Sequence, residues 1–204
     1  YLETKMGNIF VVMGKSASGK DSIYRKLLEV KCLNLKECII YTTRPLRDGE
    51  VQGREYHFIN DDEFHKMQKS GKMIEYRTYN TVFGPWNYAT MDDGQFDGES
   101  DCIMIGTLES FARIRDYFGE TRVHSVYIEV DDYTRLLRAV EREHSQDNPG
   151  YVEMCRRFIA DSEDFSEDNI KKNGIKKRFV NNSIDECVNE IAGYIGGARD
   201  GYKS

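Results

Sequence analysis

The sequence lacks the features that mark membrane proteins, disulfide frameworks and nucleic-acid-binding proteins. No apolar run approaches the ~20 residues that a membrane-spanning helix needs. The five cysteines are scattered, without a C-x-x-C pair or metal-ligand spacing, which is typical of reduced thiols in a cytoplasmic protein. A net charge of −6 argues against nucleic acid as a partner, since such proteins usually carry basic patches. We therefore expect a cytoplasmic protein with neither membrane nor nucleic acid as its partner.

An alternation of apolar runs and amphipathic segments fills the 204 residues. Apolar residues recur at i, i+3 and i+4 in segments 23–28, 111–118, 136–140 and 187–195, which predicts helices. The predicted strands are 8–13, 37–41, 73–79, 101–105, 124–130 and 177–180. This alternation predicts an α/β domain with a parallel sheet and helices on both faces. The acidic stretch 91–100 fits neither pattern, and we expect a solvated turn there.

A glycine-rich segment, MGKSASGKDS at residues 13–22, lies between the first predicted strand and the first predicted helix. Gly14, Gly19 and Lys20 have the G-x-x-x-x-G-K spacing of a phosphate-binding loop. Such glycines let backbone N–H groups converge on phosphate oxygens, and the lysine adds a positive charge. The strand before and the helix after favour this interpretation over an ordinary strand-to-helix turn. The loop is therefore predicted to bind phosphate.

A second basic segment covers residues 41–58, where Arg44 and Arg47 are three positions apart and Tyr56 follows. Paired guanidinium groups suit a phosphate monoester, and a tyrosine hydroxyl can donate a further hydrogen bond to it. A polar surface loop with ordinary charges has the same composition, so the residues alone leave both interpretations open.

Together with Thr42, Thr43, Glu50, Gly53 and Phe58, this segment resembles the signature of guanylate kinases, which transfer a phosphoryl group from ATP to GMP. The resemblance extends from about residue 8 to about residue 195. Three more segments are similar to parts of that family. They are the guanine-contacting strand at 73–76, the lid arginines Arg138, Arg142, Arg156 and Arg157, and the late strand at 179–182 that lies beside adenine.

The resemblance implies a role for each matching residue. The predicted catalytic residues are Lys20, Arg44, Arg142 and Arg157. ATP would be bound by Gly14, Lys15, Ser16, Ala17, Ser18, Gly19, Lys20, Asp21, Ser22 and Asn181, with Mg²⁺ as its cofactor. GMP would be bound by Arg44, Arg47, Glu50, Tyr56, Glu75, Phe83 and Thr107.

The sequence departs from the family pattern at positions that read the base and at one near magnesium. Ile40 replaces a serine, Pro85 a hydroxyl residue and Thr107 a carboxylate at the base, while Ile105 replaces a carboxylate near magnesium. Asp21 also stands where a Ser or Thr normally contacts magnesium. We predict that its carboxylate lies beside magnesium, directly or through a water. The alternative is that Asp21 only stabilises the first turn of the helix through the macrodipole.

The resemblance implies a P-loop NTPase fold in one domain over residues 1–204. The expected core is 8–39, 101–134 and 161–197, with an acceptor-binding insertion at 40–95 and a lid at 135–160. The predicted function is guanylate kinase. Phosphoryl transfer to another nucleoside monophosphate or to ribose bisphosphate is an alternative, and a non-catalytic binding module is another.

Overall fold

The computed structural model describes residues 6–47, 49–81 and 84–199. In these residues, nine strands form two sheets, and seven α-helices accompany them. The strands are β1 (Ile9–Met13), β2 (Lys36–Glu37), β3 (Tyr41–Thr42), β4 (His57–Phe58), β5 (Met73–Thr81), β6 (Gly84–Met91), β7 (Cys102–Ile105), β8 (Val123–Glu129) and β9 (Arg178–Val180). The helices are α1 (Lys20–Glu29), α2 (Asp61–Lys69), α3 (Leu108–Phe118), α4 (Asp132–His144), α5 (Tyr151–Asp164), α6 (Glu167–Lys172) and α7 (Ile184–Arg199). In the described ranges, no helix is both long and apolar enough to cross a bilayer.

The larger sheet is parallel, with strand order β2-β7-β1-β8-β9. Every residue of β1 is buried, which explains its continuous apolar run. Ile9, Val11 and Met13 pack on the face that α3 covers, while Phe10 and Val12 pack on the face of α1 and α7. The predicted α/β fold, a parallel sheet with helices on both faces, is therefore confirmed.

The smaller sheet has the order β4-β3-β6-β5 and lies within residues 40–95. The single strand predicted at 37–41 is wrong, because the chain leaves one sheet and enters the other there. The Cys38 N–H still donates to Ile103 O of the core sheet, whereas the Ile39 N–H donates to the Gln95 side chain. Tyr41 then pairs with Ala89 in the smaller sheet.

Residue 91 ends β6 and residues 92–100 form no strand or helix, but the stretch is not the solvated turn that we expected. Phe96 is buried in the core, and its carbonyl accepts a hydrogen bond from the buried Arg122 guanidinium at 3.1 Å. The Gly98 carbonyl accepts from the Gly7 N–H at 2.6 Å. The segment therefore packs against the residues just before β1. Its acidic composition led us to expect a solvated turn instead.

Helix α4 forms where the apolar spacing predicted it, but the residues that carried the pattern are exposed. Leu136, Leu137 and Val140 are 39–44% exposed, whereas Arg135 and Ala139 are buried. The helix packs against α5 through the arginine side. The spacing of the apolar residues therefore predicted the helix correctly but did not predict which of its faces is buried.

Candidate active site

The phosphate-binding loop connects β1 to α1 in a conformation that its glycines permit. Gly19, just before α1, has φ +83°, and a Cβ there would lie 2.5 Å from the Asn181 side chain. A Cβ on Gly14 would lie 2.7 Å from the Ile128 carbonyl oxygen. A larger residue at Gly14 would clash with the backbone of β8, and one at Gly19 would displace the Asn181 side chain. The loop thus brings the N-terminus of α1 to the end of the sheet, where its free N–H groups attract anions.

Side chains from distant elements hold the first half of this loop. The Ser16 N–H donates to Asp161 Oδ2 of α5 at 2.6 Å, and Arg135 Nη1 of α4 donates to the Ser16 carbonyl at 3.0 Å. Arg135 is fully buried, with the Phe158 ring 4.4 Å from its guanidinium carbon. Asp132 takes part in the same network, since its carboxylate accepts two hydrogen bonds from Arg135. Helices α4 and α5, which form the expected lid, are therefore hydrogen-bonded to the loop at Ser16.

The Asn181 side chain is hydrogen-bonded to the second half of the loop. Its amide is 1% exposed and donates to the Ser18 carbonyl at 2.8 Å. The Asn181 Oδ1 and Ser18 Oγ atoms have no hydrogen-bond partner among the described residues. The contact with adenine that the resemblance implied for Asn181 stays a prediction, and the structure adds a contact between its side chain and the loop.

Lys20 and Asp21 lie next to each other at the start of α1. Lys20 Nζ is 3.2 Å from Asp21 Oδ2, and the Asp21 side chain is 69% exposed. Both residues line a cavity of about 760 Å³. Within residues 6–47, 49–81 and 84–199, no group of three His, Cys, Asp or Glu side chains is placed to hold a metal ion. A divalent ion here would therefore depend mainly on phosphate oxygens and water, with Asp21 as the nearby carboxylate.

Arg44 is held rigidly by a bidentate pair with Glu50. Its Nη1 and Nη2 atoms lie 3.0 and 2.7 Å from the two Glu50 oxygens, and the residue is only 4% exposed. The rings of Tyr56 and Phe58 lie 5.3 and 5.4 Å from its guanidinium carbon. The ion pair with Arg44 lowers the pKa of Glu50. These contacts fix the guanidinium orientation before any phosphate arrives.

The 760 Å³ cavity, which we call the acceptor cavity, joins the loop to the smaller sheet. Its lining includes Lys20 and Asp21 from α1, Tyr56, Tyr88 and Arg77 from the smaller sheet region, and Thr107 before α3. Burial raises the pKa of Tyr56, with Tyr88 close by, so its hydroxyl stays protonated as a hydrogen-bond donor at neutral pH. The cavity therefore has room and donors for a substrate beside Lys20.

Glu75, the residue predicted to read the base, is paired inside the protein. Its Oε1 accepts from the Thr90 hydroxyl at 2.5 Å, and its Oε2 accepts from Arg77 Nε at 3.1 Å. Arg77 Nη1 donates in turn to the Thr107 hydroxyl at 2.9 Å. Sequence reasoning missed Arg77, although the period of two in a strand places it on the same face as Glu75.

A second cavity, of about 390 Å³, contains Arg142 and Arg157, two of the four predicted lid arginines, and is called the lid cavity below. Its lining includes Ser16 of the loop, Arg47, Arg142, Glu153 and Arg157. A hydrogen bond from Arg156, and a weaker contribution from Arg157, lower the pKa of Glu153 to about 2. The structure thus places Arg47 with the lid arginines, whereas Lys20 lines the acceptor cavity. Phe83, predicted to contact GMP, lies outside the described residues.

Comparisons with known proteins agree with this geometry. A family model described as guanylate kinase matches residues 6–196. The guanylate kinase of Wolbachia pipientis wMel is 28% identical over 191 residues, covering 91% of this chain and 88% of its own. That of Oceanobacillus iheyensis is 38% identical over 118 residues, covering 56% of this chain and 54% of its own. The crystal structure of guanylate kinase from Anaplasma phagocytophilum superposes with a TM-score of 0.67 at 18% identity, over 98% of this chain and 89% of that one, so it supports the fold. The chain belongs to the guanylate kinase family.

Proposed function

We propose that the protein transfers the γ-phosphoryl group of ATP to GMP, giving ADP and GDP. One observation carries the proposal: Lys20 of the phosphate-binding loop and Tyr56 of the acceptor segment line the same cavity. A phosphoryl donor held by the loop and an acceptor held by the smaller sheet would therefore meet within one cavity. Phosphoryl transfer depends mainly on such positioning and on charge stabilisation.

The chain supplies these positive charges and donors from several elements. N–H groups of the loop and the start of α1 would hold the ATP phosphates, with Lys20 beside the group that moves. Arg44 and Tyr56 would hold the acceptor phosphate together with Arg47, whose side chain would have to turn toward it from the lid cavity. Arg142 and Arg157 would approach from the lid and stabilise the charge that develops on the transferring phosphoryl group. A closed lid also excludes the water that would otherwise hydrolyse ATP.

Mg²⁺ is the divalent ion that we propose for this reaction. When bound, it neutralises phosphate charge and orients the phosphate chain. The exposed Asp21 carboxylate beside Lys20 suits an outer-sphere contact, because magnesium keeps several of its waters. Gly14, Lys15, Ser16, Ala17, Ser18, Gly19 and Ser22 would contact ATP rather than the metal.

A second acceptor class follows from the replaced base-reading positions. Ile40 and Thr107 line the acceptor cavity where the family pattern has a serine and a carboxylate. A phosphorylated sugar such as ribose bisphosphate needs the phosphate-holding arginines and no base contacts. It is therefore the alternative substrate that an assay must include.

An ADP-release assay with GMP, AMP, CMP, UMP and ribose bisphosphate as acceptors tests the proposal. We expect GMP to give the highest kcat/KM. Lys20→Met should lower kcat by roughly 10² or more, whereas Lys26→Met, on the exposed side of the same helix, should leave it unchanged. Near-full turnover in Lys20→Met, or turnover of ribose bisphosphate alone, would contradict the assignment. A non-catalytic module would release no ADP, and ATP with Mg²⁺ would not raise its Tm.

A further inference from the structure

A carboxylate and a guanidinium lie side by side on β5 next to the acceptor cavity. Glu75 Oε2 and Arg77 Nε are 3.1 Å apart, and the two side chains are 2% and 9% exposed. Arg77 lines the acceptor cavity and also a neighbouring cavity of about 670 Å³, which Glu75 lines as well. The pair thus presents a hydrogen-bond acceptor and a donor next to each other.

The contacts around this pair fix its orientation. Thr90 donates to one Glu75 oxygen, and Thr107, which also caps α3, accepts from Arg77 Nη1. A guanidinium carries five N–H donors: Glu75 and Thr107 each accept from one of them, and Tyr79 also hydrogen-bonds with Arg77. Thr107 is at the position where the family pattern has a carboxylate, so that negative charge is missing here, and Arg77 places a positive charge beside the Thr107 hydroxyl.

We propose that Arg77 is a specificity-determining residue and that, with Glu75, it selects nucleoside monophosphates whose base has an N–H next to a carbonyl oxygen, as 6-oxopurines do. The inference rests on the proposed function. The purine N1–H would donate to Glu75, and the neighbouring O6 would accept from Arg77. Arginine is well suited to the acceptor groups of guanine.

The same geometry disfavours adenine and cytosine. In adenine the ring N1 is an acceptor and the exocyclic group at C6 is a donor, so both would oppose the charged pair. Cytosine has the same reversed pattern at N3 and C4. A site whose buried polar groups lose their partners rejects such ligands strongly.

The 2-amino group of guanine has fewer partners here than the 6-oxo group. The carboxylate at the position of Thr107 is absent, and the Thr107 hydroxyl is occupied by Arg77. Glu75 alone is left to contact N1–H and the 2-amino group. IMP, which keeps N1–H and O6 but lacks the 2-amino group, should therefore be an acceptor of quality similar to GMP.

The test compares kcat/KM for GMP, IMP, AMP and CMP in wild type and variants. In the wild type we expect GMP and IMP to lie within about tenfold of each other, and AMP and CMP at least roughly 100-fold lower. Arg77→Met should lower the GMP-to-AMP ratio by roughly 10- to 100-fold. Arg77→Lys should give an intermediate ratio, because it keeps the charge and loses the planar fork. Glu75→Gln should reduce the ratio too, whereas Lys66→Met, at an exposed position on α2 that lines neither cavity, should not.

The GMP-to-AMP ratio of kcat/KM distinguishes a role of Arg77 in specificity from structural damage. A purely structural role for Arg77 would lower turnover of all four acceptors equally and leave the GMP-to-AMP ratio unchanged, which would overturn the inference while the proposed function stands. GMP turnover with IMP at the level of AMP would also overturn it. A wild-type protein that phosphorylates no nucleotide would refute the proposed function and this inference with it. If Arg77→Met does not fold, Arg77→Lys carries the same test.

Discussion

Replacement of Arg135 by methionine tests how α4 supports the phosphate-binding loop. Methionine keeps most of the length and apolar volume of the side chain but removes its charge and its donors. Arg135 is 0% exposed and bonds to the Ser16 carbonyl at 3.0 Å and to Asp132 at 2.8 Å, with Phe158 against its guanidinium. The substitution therefore removes three kinds of contact at once.

The magnitude follows from these contacts. A charged donor to a buried carbonyl is worth roughly 1.5–3 kcal/mol, and a desolvated cation–π contact about 2 kcal/mol. The pair with Asp132 adds less than about 1 kcal/mol, since that carboxylate is 60% exposed. Methionine recovers part of the packing on Phe158, and such terms are not additive. We expect a loss of about 3 kcal/mol, equivalent to a fall in Tm of roughly 6–12 °C for a protein of this length.

Thermal and urea unfolding measure the loss, and an ATP titration measures its effect on the loop. KM for ATP should rise, because the Ser16 carbonyl loses its donor. Arg156→Met is the control: Arg156 is 65% exposed and forms only a surface pair with Glu153, so its Tm should change by less than about 2 °C. An Arg135→Met protein with wild-type Tm and KM would refute the view that this buried network holds the loop.

Three further results are expected. Arg157→Met should lower kcat by roughly 10² or more, whereas Arg156→Met should not, because Arg157 lines the lid cavity with Ser16; equal effects in steady-state assays would contradict this. The Arg44 pair lowers the pKa of Glu50, so it stabilises the folded protein above the ordinary pKa of 4.5 and less as pH falls further. Wild type should therefore exceed Glu50→Gln in Tm at pH 7, with a gap that narrows below pH 4.5, and a constant gap would count against the ion pair. Asp21→Ser should change the Mg²⁺ concentration for half-maximal rate several-fold; an unchanged value would leave Asp21 as a helix-stabilising residue.

Local patterns in the sequence predicted the phosphate-binding loop and the core sheet. The loop depends on residues within one short segment, and β1 is recognised by its continuous apolar run because both of its faces are buried. The contacts that support the loop were not predictable in this way. Ser16 and Asp161 are 145 positions apart, and Arg135 and Ser16 are 119 apart. No period or spacing connects residues at that distance.

Strand β6 was missed for a different reason. It contains Pro85 and the polar residue Asn87, and proline normally argues against a strand inside a sheet. The structure accommodates Pro85 because β3 is only two residues long and pairs with Tyr88 and Ala89, farther along β6. Pro85 therefore has a strand partner on one side only, at Asn80 of β5. Such an arrangement follows from the length of a neighbouring strand, which the sequence of β6 does not contain.

The positions of the two cavities bear on how the lid reaches the reacting phosphate. Lys20 lines the acceptor cavity, while Ser16, four residues earlier in the same loop, lines the lid cavity with Arg142 and Arg157. Arg157 is one helical turn before Asp161, whose carboxylate holds the Ser16 N–H. This bond connects α5 to the loop at that turn, so the proposed closure would either keep the bond or have to break it. In the proposed mechanism, the half-exposed side chains of Arg142 and Arg157 would have to reach from the lid cavity past Ser16 toward Lys20 to contact the transferring phosphoryl group.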